Sequence, residues 1–399
     1  MRTLWLLSAS HAVNHAQAAV LPLIYLAIIP EFQLGVAAIA FLSAIGNSAA
    51  GIVQLSYAIV TRYLSRRMIL GWGGLLFGGG MAIQAAANSL VPFAVANVAS
   101  RIGGSPQHPV GNALLAEQFP VQRRGFAISA HIAGGNVGTV AVPLLGAWLI
   151  AGFGWRWTVV LFGVPAIVLA LAIFWLVRES GADRAAARAH GSLRRAFGDI
   201  LRDRSLRLIF LSTVLASGGR GLGVLNILVP LYLSLVVGVD NLTVALMYTV
   251  LVAGSVPSPI IAGWLSDRIG RKPLIIGAYA GGAAALAVFV AAGSNVPGLW
   301  LGIVLLGTFN FVESPQLQAL LSDVTTPALR DASFAIYFTL AFLSSSLWVI
   351  VYGAVVDLIG ESAGLPISFV VMAVGFIVAA FVVLPIRIDE GRLRRASAG

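Results

Sequence analysis

Twelve predominantly apolar stretches follow one another along the chain, at 4–29, 36–60, 68–87, 91–117, 124–150, 156–177, 206–235, 243–266, 273–293, 297–321, 332–357 and 364–386. Each has about the 20 residues that an α-helix needs to cross the hydrocarbon core of a bilayer. None alternates apolar and polar positions in the short segments of a membrane β-barrel. The pattern predicts an all-α integral membrane protein with 12 transmembrane helices, spans 1 to 12 in chain order. Span 1 is too long for a secretory leader and lacks a cleavage site, so it is expected to stay in the bilayer.

The polar punctuation between the spans repeats. Gly263-Trp264-Leu265-Ser266-Asp267-Arg268-Ile269-Gly270-Arg271-Lys272-Pro273 joins spans 8 and 9. A related loop, Ala58 to Arg67, joins spans 2 and 3 at a spacing of 205 residues. Arg66 and Arg67 align with Arg271 and Lys272, but Arg62 stands where the second copy has Asp267. Leu21-Pro22-Leu23-Ile24-Tyr25 in span 1 parallels Val229-Pro230-Leu231-Tyr232 in span 7. Asn112 to Glu117 parallels Gln318 to Asp323, and Pro120 to Arg124 matches Pro327 to Asp331.

Six helices repeated in parallel predict two bundles related by an axis along the membrane normal. The expected organisation is an N-terminal bundle over 1–178, a cytoplasmic linker over 179–205, and a C-terminal bundle with a short cytoplasmic tail over 206–399. Within the linker, Leu193, Ala196, Phe197, Ile200 and Leu201 fall on one face of a helix. That helix either lies along the membrane surface or under the bundles, or is a helical stretch of a solvated tether.

Composition narrows the picture further. Of 399 residues 59% are hydrophobic and 10% charged, with mean hydropathy +0.93, too little polar surface for a water-soluble domain of this length. The formal charge of +10 follows topology. Arg62, Arg66, Arg67, Arg123, Arg124, Arg268, Arg271, Lys272, Arg330, the linker and the Arg387–Arg395 tail fall on one side. Glu31, Asp240, Asp357 and Glu361 fall on the other, with Arg156 the only base there. The positive-inside rule then places both termini in the cytoplasm, and nucleic-acid binding is not needed to explain the charge. The absence of cysteine excludes disulfides and thiol chemistry. No phosphate-cradling loop, cofactor motif or catalytic constellation is visible, so neither an ATP-driven pump nor an enzyme is expected.

Ionisable side chains at membrane depth carry the functional reading, because each needs a cavity or a partner. Arg101, Arg220 and Glu313 fall near the middle of the bilayer. Glu313 is either a proton-exchanging carboxylate or a fixed partner for Arg220. His11 and His15 lie four apart on one helix face, with Asn14 close by. With His108 and His131 they either relay protons or serve as neutral hydrogen bonds between helices. His11 and His15 show no third or fourth ligand in the sequence, so no metal site is expected. Near the basic loops, Asp267, Arg268, Arg271 and Asp323, and in the first half Arg66, Glu117 and Arg124, are candidates for a cytoplasmic lock.

Together these residues resemble a major facilitator superfamily transporter over essentially the whole chain. The Gly263–Lys272 loop is similar to that family's signature, whose usual stronger copy joins helices 2 and 3. The first half resembles the fosmidomycin-resistance-type efflux branch in Ser10-His11-Ala12-Val13-Asn14, Gly104-Ser105-Pro106-Gln107-His108-Pro109 and Gly134-Gly135-Asn136-Val137-Gly138 with Pro143-Leu144-Leu145-Gly146. It departs at His15, where an Asp would follow Asn14, and at Arg62. Arg101 resembles the helix-4 arginine that faces the cavity. Gly134, Gly138, Pro143 and Gly146 resemble a helix-packing antiporter motif, with Val142 in place of a Gly.

The resemblance implies a monomeric secondary transporter of a cytoplasmic (inner) membrane, working by alternating access with protons, a small-molecule substrate and lipid as partners, and no cofactor. Proton-coupled efflux of a small organic, anionic or phosphonate-like compound or drug is the expected function, with Arg101, Arg220, Asn14 and His11 as substrate residues. Glu313, His15, His108 and His131 are the expected proton residues. Uptake or exchange of an anionic metabolite and a transport-dead sensor or scaffold are the alternatives.

Overall fold

The computed structural model describes residues 1–34, 36–220 and 224–386, apart from the side chains at 26, 36–41, 43, 44, 47, 143, 144 and 241. The basic tail singled out from sequence lies outside the described residues, as does the side chain of Pro143. Every regular element among the described residues is a helix. Hydrocarbon offers no hydrogen bonds, so a spanning backbone must satisfy its own. Among the described residues eight helices are long and apolar enough to cross a membrane. They correspond to spans 3, 5, 6 and 8 to 12. Span 1, Arg2–Phe32, has the length as well. Spans 4 and 7 are interrupted.

The interruptions are local and have sequence causes. Span 4 runs Leu90–Gly104, tightens into a 3-10 turn at Ser105–Gln107 and restarts at Pro109–Gln118. Pro106 and Pro109 each lack an N–H, which breaks the ladder there. Span 7 runs Arg204–Ala216 into a 3-10 turn at Ser217–Gly219, and resumes as Asn226–Leu231 and a π-helical turn at Tyr232–Val237. Span 10 stops at Phe309 and restarts at Glu313. Spans 5 and 6 meet at Gly154, whose φ of 76° and ψ of 166° suit glycine and few other residues.

The chain forms two compact units. One comprises Met1–Gln118, Ala130–Leu193 and Pro327–Thr339; the other comprises Phe119–Ser129, Arg194–Thr326 and the described part of Leu340–Gly399. Each unit thus contains a short helical segment from the opposite sequence repeat.

In the first unit Val20, Ile24, Ile28, Phe93 and Val159 are fully buried. Its outward side chains are apolar as well, for example Trp148 and Trp175, as a lipid-facing surface requires. Spans 1 and 5 pack closely because span 5 presents glycines to span 1. A Cβ on Gly134 would lie 2.7 Å from Ser8 Cβ, one on Gly135 2.9 Å from the His11 ring, and one on Gly146 2.7 Å from Val20. On Gly138 it would overlap the carbonyl oxygen of Ala12. At the acidic end Glu31 accepts hydrogen bonds from Arg156 at 2.5 Å and Trp155 at 2.7 Å. The Arg156 bond first, then the indole bond, holds its carboxyl below the usual carboxylate range.

The linker contains two helices, Ala182–Ala189 and Leu193–Arg202. Only the second was expected. Ala196 and Ile200 of its apolar face are buried, whereas Leu201 is 57% exposed, so the covered face is narrower than the pattern implies.

Gly138→Leu is expected to destabilise the protein by about 1–3 kcal/mol through overpacking, seen as a lower unfolding temperature in detergent. Gly152→Ala is the control, since a Cβ there meets nothing within 4 Å. Equal stability of the Gly138 variant and wild type would contradict this close contact.

Candidate functional site

The polar residues singled out from the sequence assemble into a histidine cluster, two mid-span arginine sites and two charged networks at the basic ends. In the first unit the ring of His11 lies 4.5 Å from His15, 4.6 Å from His108 and 4.4 Å from His131, centroid to centroid. Spans 1, 4 and 5 therefore converge on His11, which is wholly buried. Its Nδ1 is 3.0 Å from the His131 carbonyl oxygen, and His131 Nε2 is 3.2 Å from the Gln107 carbonyl oxygen. His15 Nδ1 lies 3.1 Å from Thr139 Oγ1. Asn14 donates to the Gly104 carbonyl oxygen at 3.2 Å, which fixes span 1 against the break in span 4.

Arg101 is half-buried in the same unit. Tyr25 and Asn97 are its polar neighbours, and it has no carboxylate partner among the described residues. The histidines and Arg101 are not in the apolar groove of the first unit, which is lined by Ala12, Val137, Gly138 and Leu161.

In the second unit Arg220 donates to both oxygens of Glu313, at 2.7 and 3.3 Å. Glu313 is 1% exposed and Arg220 17%. Arg220 directly follows the 3-10 turn in span 7, with extended backbone. Glu313 is the first residue of the restarted helix of span 10, where the helix dipole favours a negative charge. Asn310 Nδ2 donates to the Gly219 carbonyl oxygen at 3.0 Å, so the two breaks are tied together. In both units an asparagine amide joins the first helix of a repeat to the broken fourth helix. Arg220, Glu313 and His108 each border a break, a position the apolar pattern does not reveal.

The charged networks use equivalent positions, with the sign inverted only at 62/267 and 124/331. In the second unit Asp323 accepts from Arg271 at 3.0 Å and from Arg124 at 3.3 Å. Arg271 also binds Asp267, Ser266 and the Val121 carbonyl oxygen. Asp267 accepts from the Gly125 and Phe126 N–H groups at 3.1 and 2.9 Å, near the start of the span-5 helix. In the first unit Arg66, 2% exposed, binds Glu117 at 2.5 Å, Asp331 at 2.8 Å and Asp183 at 2.8 Å. Asp183 also accepts from Arg330 at 2.5 Å.

Position 124 is a base and its repeat counterpart 331 an acid, so Arg66 meets three acids where Arg271 meets two. The acid missing at position 62 is replaced by Asp183 from the linker. Arg62 instead donates to the carbonyl oxygens of Ala187 and Gly191, tying the loop to the linker.

Two expectations change. Arg124 was expected to work with Arg66 and Glu117, but the structure places it with Asp323. Arg268 was expected to reach Asp323; its guanidinium instead lies 3.5 Å from the centroid of the Trp264 ring, because its exposed position favours stacking on the neighbouring indole. Asp183, Gln17, Ser100 and Gln107 were missed. Gln17 donates to Ser100 at 2.5 Å and Gln107 to Ser10 at 2.6 Å; polar residues inside the apolar spans 1 and 4 were the available signal.

The family model of the Major Facilitator Superfamily matches residues 7–349. The chain belongs to this superfamily. A protein of Haemophilus influenzae named for metabolite transport is 28% identical over 220 residues, covering 52% of this chain and 53% of that protein. The multidrug resistance protein B homolog of Mycobacterium tuberculosis is 32% identical over 116 residues, covering 28% and 21%. The chain thus matches about half of the first relative's length and about a fifth of the second's. The structure of the E. coli fucose:proton symporter shares the fold, with a TM-score of 0.79 at 14% identity and coverage of 96% of this chain and 98% of that one. Members of this superfamily are multi-pass membrane transporters and not enzymes, and the chain shares their fold.

Asp183→Ala removes an acid shared by Arg66 and Arg330. The expected loss is about 3 kcal/mol, as for breaking a buried pair, with faster proteolysis between residues 182 and 193. Asp199→Asn, whose pairs at 3.9 Å are largely exposed, is expected to stay within about 0.5 kcal/mol of wild type. Similar behaviour of the two variants would sink the assignment of Asp183 to the network.

Proposed function

We propose that this transporter couples the movement of a small organic anion to protons, with Glu313 as the proton-exchanging carboxylate. The observation that carries this reading is the buried Arg220–Glu313 pair beside two helix breaks. A guanidinium keeps its charge at every physiological pH, so Arg220 in an apolar medium always needs an anion. While Glu313 is ionised, it supplies that anion. A proton on Glu313 dissolves the pair and frees the guanidinium for a carboxylate or phosphonate group of the substrate. Proton and anion then favour each other's binding, which makes cotransport the natural consequence. Arg101, without a carboxylate partner among the described residues, supports an anionic substrate further. The name of the structural neighbour, a fucose:proton symporter, is consistent with proton cotransport.

Export in exchange for protons is the second reading. It is supported by the glycines of span 5, by the resemblance of the first half to an efflux branch, and by the multidrug resistance name of one relative. On either reading the networks around Asp267 and Arg66 act as a cytoplasmic lock that opens and closes in each cycle.

Reconstitution into proteoliposomes with an imposed pH gradient and a panel of labelled carboxylates and phosphonates separates the two readings. Cotransport collects substrate in the alkaline compartment, exchange in the acidic one. Glu313→Gln is expected to lower gradient-driven accumulation by about tenfold or more while counterflow at equal pH continues. Retention of full gradient-driven accumulation would remove Glu313 from the coupling. For the lock, Asp267→Asn is expected to slow transport about tenfold and Arg62→Ala far less; equal effects would refute a lock concentrated in the second repeat.

A further inference from the structure

The third ligand that residues 11 and 15 lack in the sequence is supplied in space by span 4. We propose that His11, His15 and His108 form a binding site for a late first-row divalent cation of the Zn²⁺ class, with a fourth position open to water or an anionic oxygen. This goes beyond the coupling reading and does not depend on it. Ligand nitrogens of the three rings all lie within 4.8 Å of one another. Zn–N bonds of ~2.0–2.1 Å in tetrahedral geometry need nitrogens ~3.3 Å apart, so small rotations of the rings would close them around an ion. His108 stands where the 3-10 turn ends and the next helix begins, its ring 5.1 Å from that of Phe338. His15 and His108 are half-buried, which leaves a way in.

The surroundings orient the rings as metal-bound imidazoles are usually oriented. A ligating histidine commonly gives its other ring N–H to a carbonyl or similar acceptor, which fixes the tautomer and aims the free lone pair. His11 Nδ1 faces the His131 carbonyl oxygen. A carbonyl only accepts, so the proton sits on Nδ1 and the lone pair on Nε2. That Nε2 is buried and has no hydrogen-bond partner. His131 is held in turn by the Gln107 carbonyl, and His15 Nδ1 by the Thr139 hydroxyl.

A purely structural role, in which each histidine pins two helices, leaves His11 Nε2 unexplained. An unsatisfied buried acceptor is destabilising. Three imidazoles without a carboxylate select Zn²⁺, Co²⁺, Ni²⁺ or Cu²⁺ over Mg²⁺ or Ca²⁺. Glycine at 135 is part of the same arrangement, since a Cβ there would lie 2.9 Å from the His11 ring and push it out of place.

The test uses the full chain, purified in detergent without a polyhistidine tag and stripped with a chelator. Titration with Zn²⁺ is expected to give one tight site per chain, and Co²⁺ is expected to give the intense visible bands of a four-coordinate site. X-ray absorption of the Zn²⁺ form should show an imidazole nitrogen shell. His15→Gln and His108→Gln are each expected to weaken binding at least tenfold, and His190→Gln, in the linker, to leave it unchanged. The wild-type Co²⁺ and X-ray spectra keep the proposal testable if either cluster variant fails to fold. No stoichiometric Zn²⁺ binding, an oxygen-only shell, or binding lost in His190→Gln but kept in both cluster variants would each overturn it.

Discussion

A charge buried away from water has to find its partner inside the protein, and this constraint organises the charged networks. Arg66 is the plainest case. It is one of the largest fully buried side chains, and three carboxylates drawn from span 4, the linker and span 11 surround it. Arg271 meets the same demand with two acids, a hydroxyl and a carbonyl. Buried ion pairs add little stability over apolar packing, but removing one member is costly. Such contacts therefore specify arrangement more than they strengthen it.

The two repeats solve this problem with charge patterns inverted at two positions. Both halves carry a related loop, with Arg62 in the first at the position of Asp267 in the second. The deficit was met from outside the repeat, by Asp183 of the connecting segment. The histidines belong to the first unit and the Arg220–Glu313 pair to the second, so the two halves have also diverged in the chemistry they hold at depth. The broken helices are what the deep sites share, because a break frees backbone and admits polar side chains where a continuous helix would present only apolar ones.

Much of this was legible in the chain. The apolar runs and the basic loops gave the class, and the family comparison agrees with the resemblance carried by Gly263–Lys272. Glu313 and Arg220 could be paired in advance because they are the acid and base at similar depth in one half. The convergence of His108 on His11 was not legible. It depends on how spans 1 and 4 are rotated, which Asn14 and the Gly104 carbonyl settle across 90 residues of chain. Asp183 was hidden for another reason: within a polar linker one acid looks like any other until Arg66 and Arg330 are placed beside it. Arg268 looked like a lock residue by its place in the signature, yet exposure left it to its own helix neighbour.

The exchange of short segments between the repeats has a consequence for how such a chain can be divided. A duplicated protein invites separation into two fragments at its central connection. Here a first-half fragment would lack Pro327–Thr339 and with it Asp331, and a cut ahead of Asp183 would remove a second acid from Arg66. The second-half fragment would lack Phe119–Ser129, including the N–H groups that Asp267 caps and the Arg124 that Asp323 binds. Each half of the sequence therefore encodes less than one compact unit, and co-expressed fragments would have to trade these pieces before either became complete.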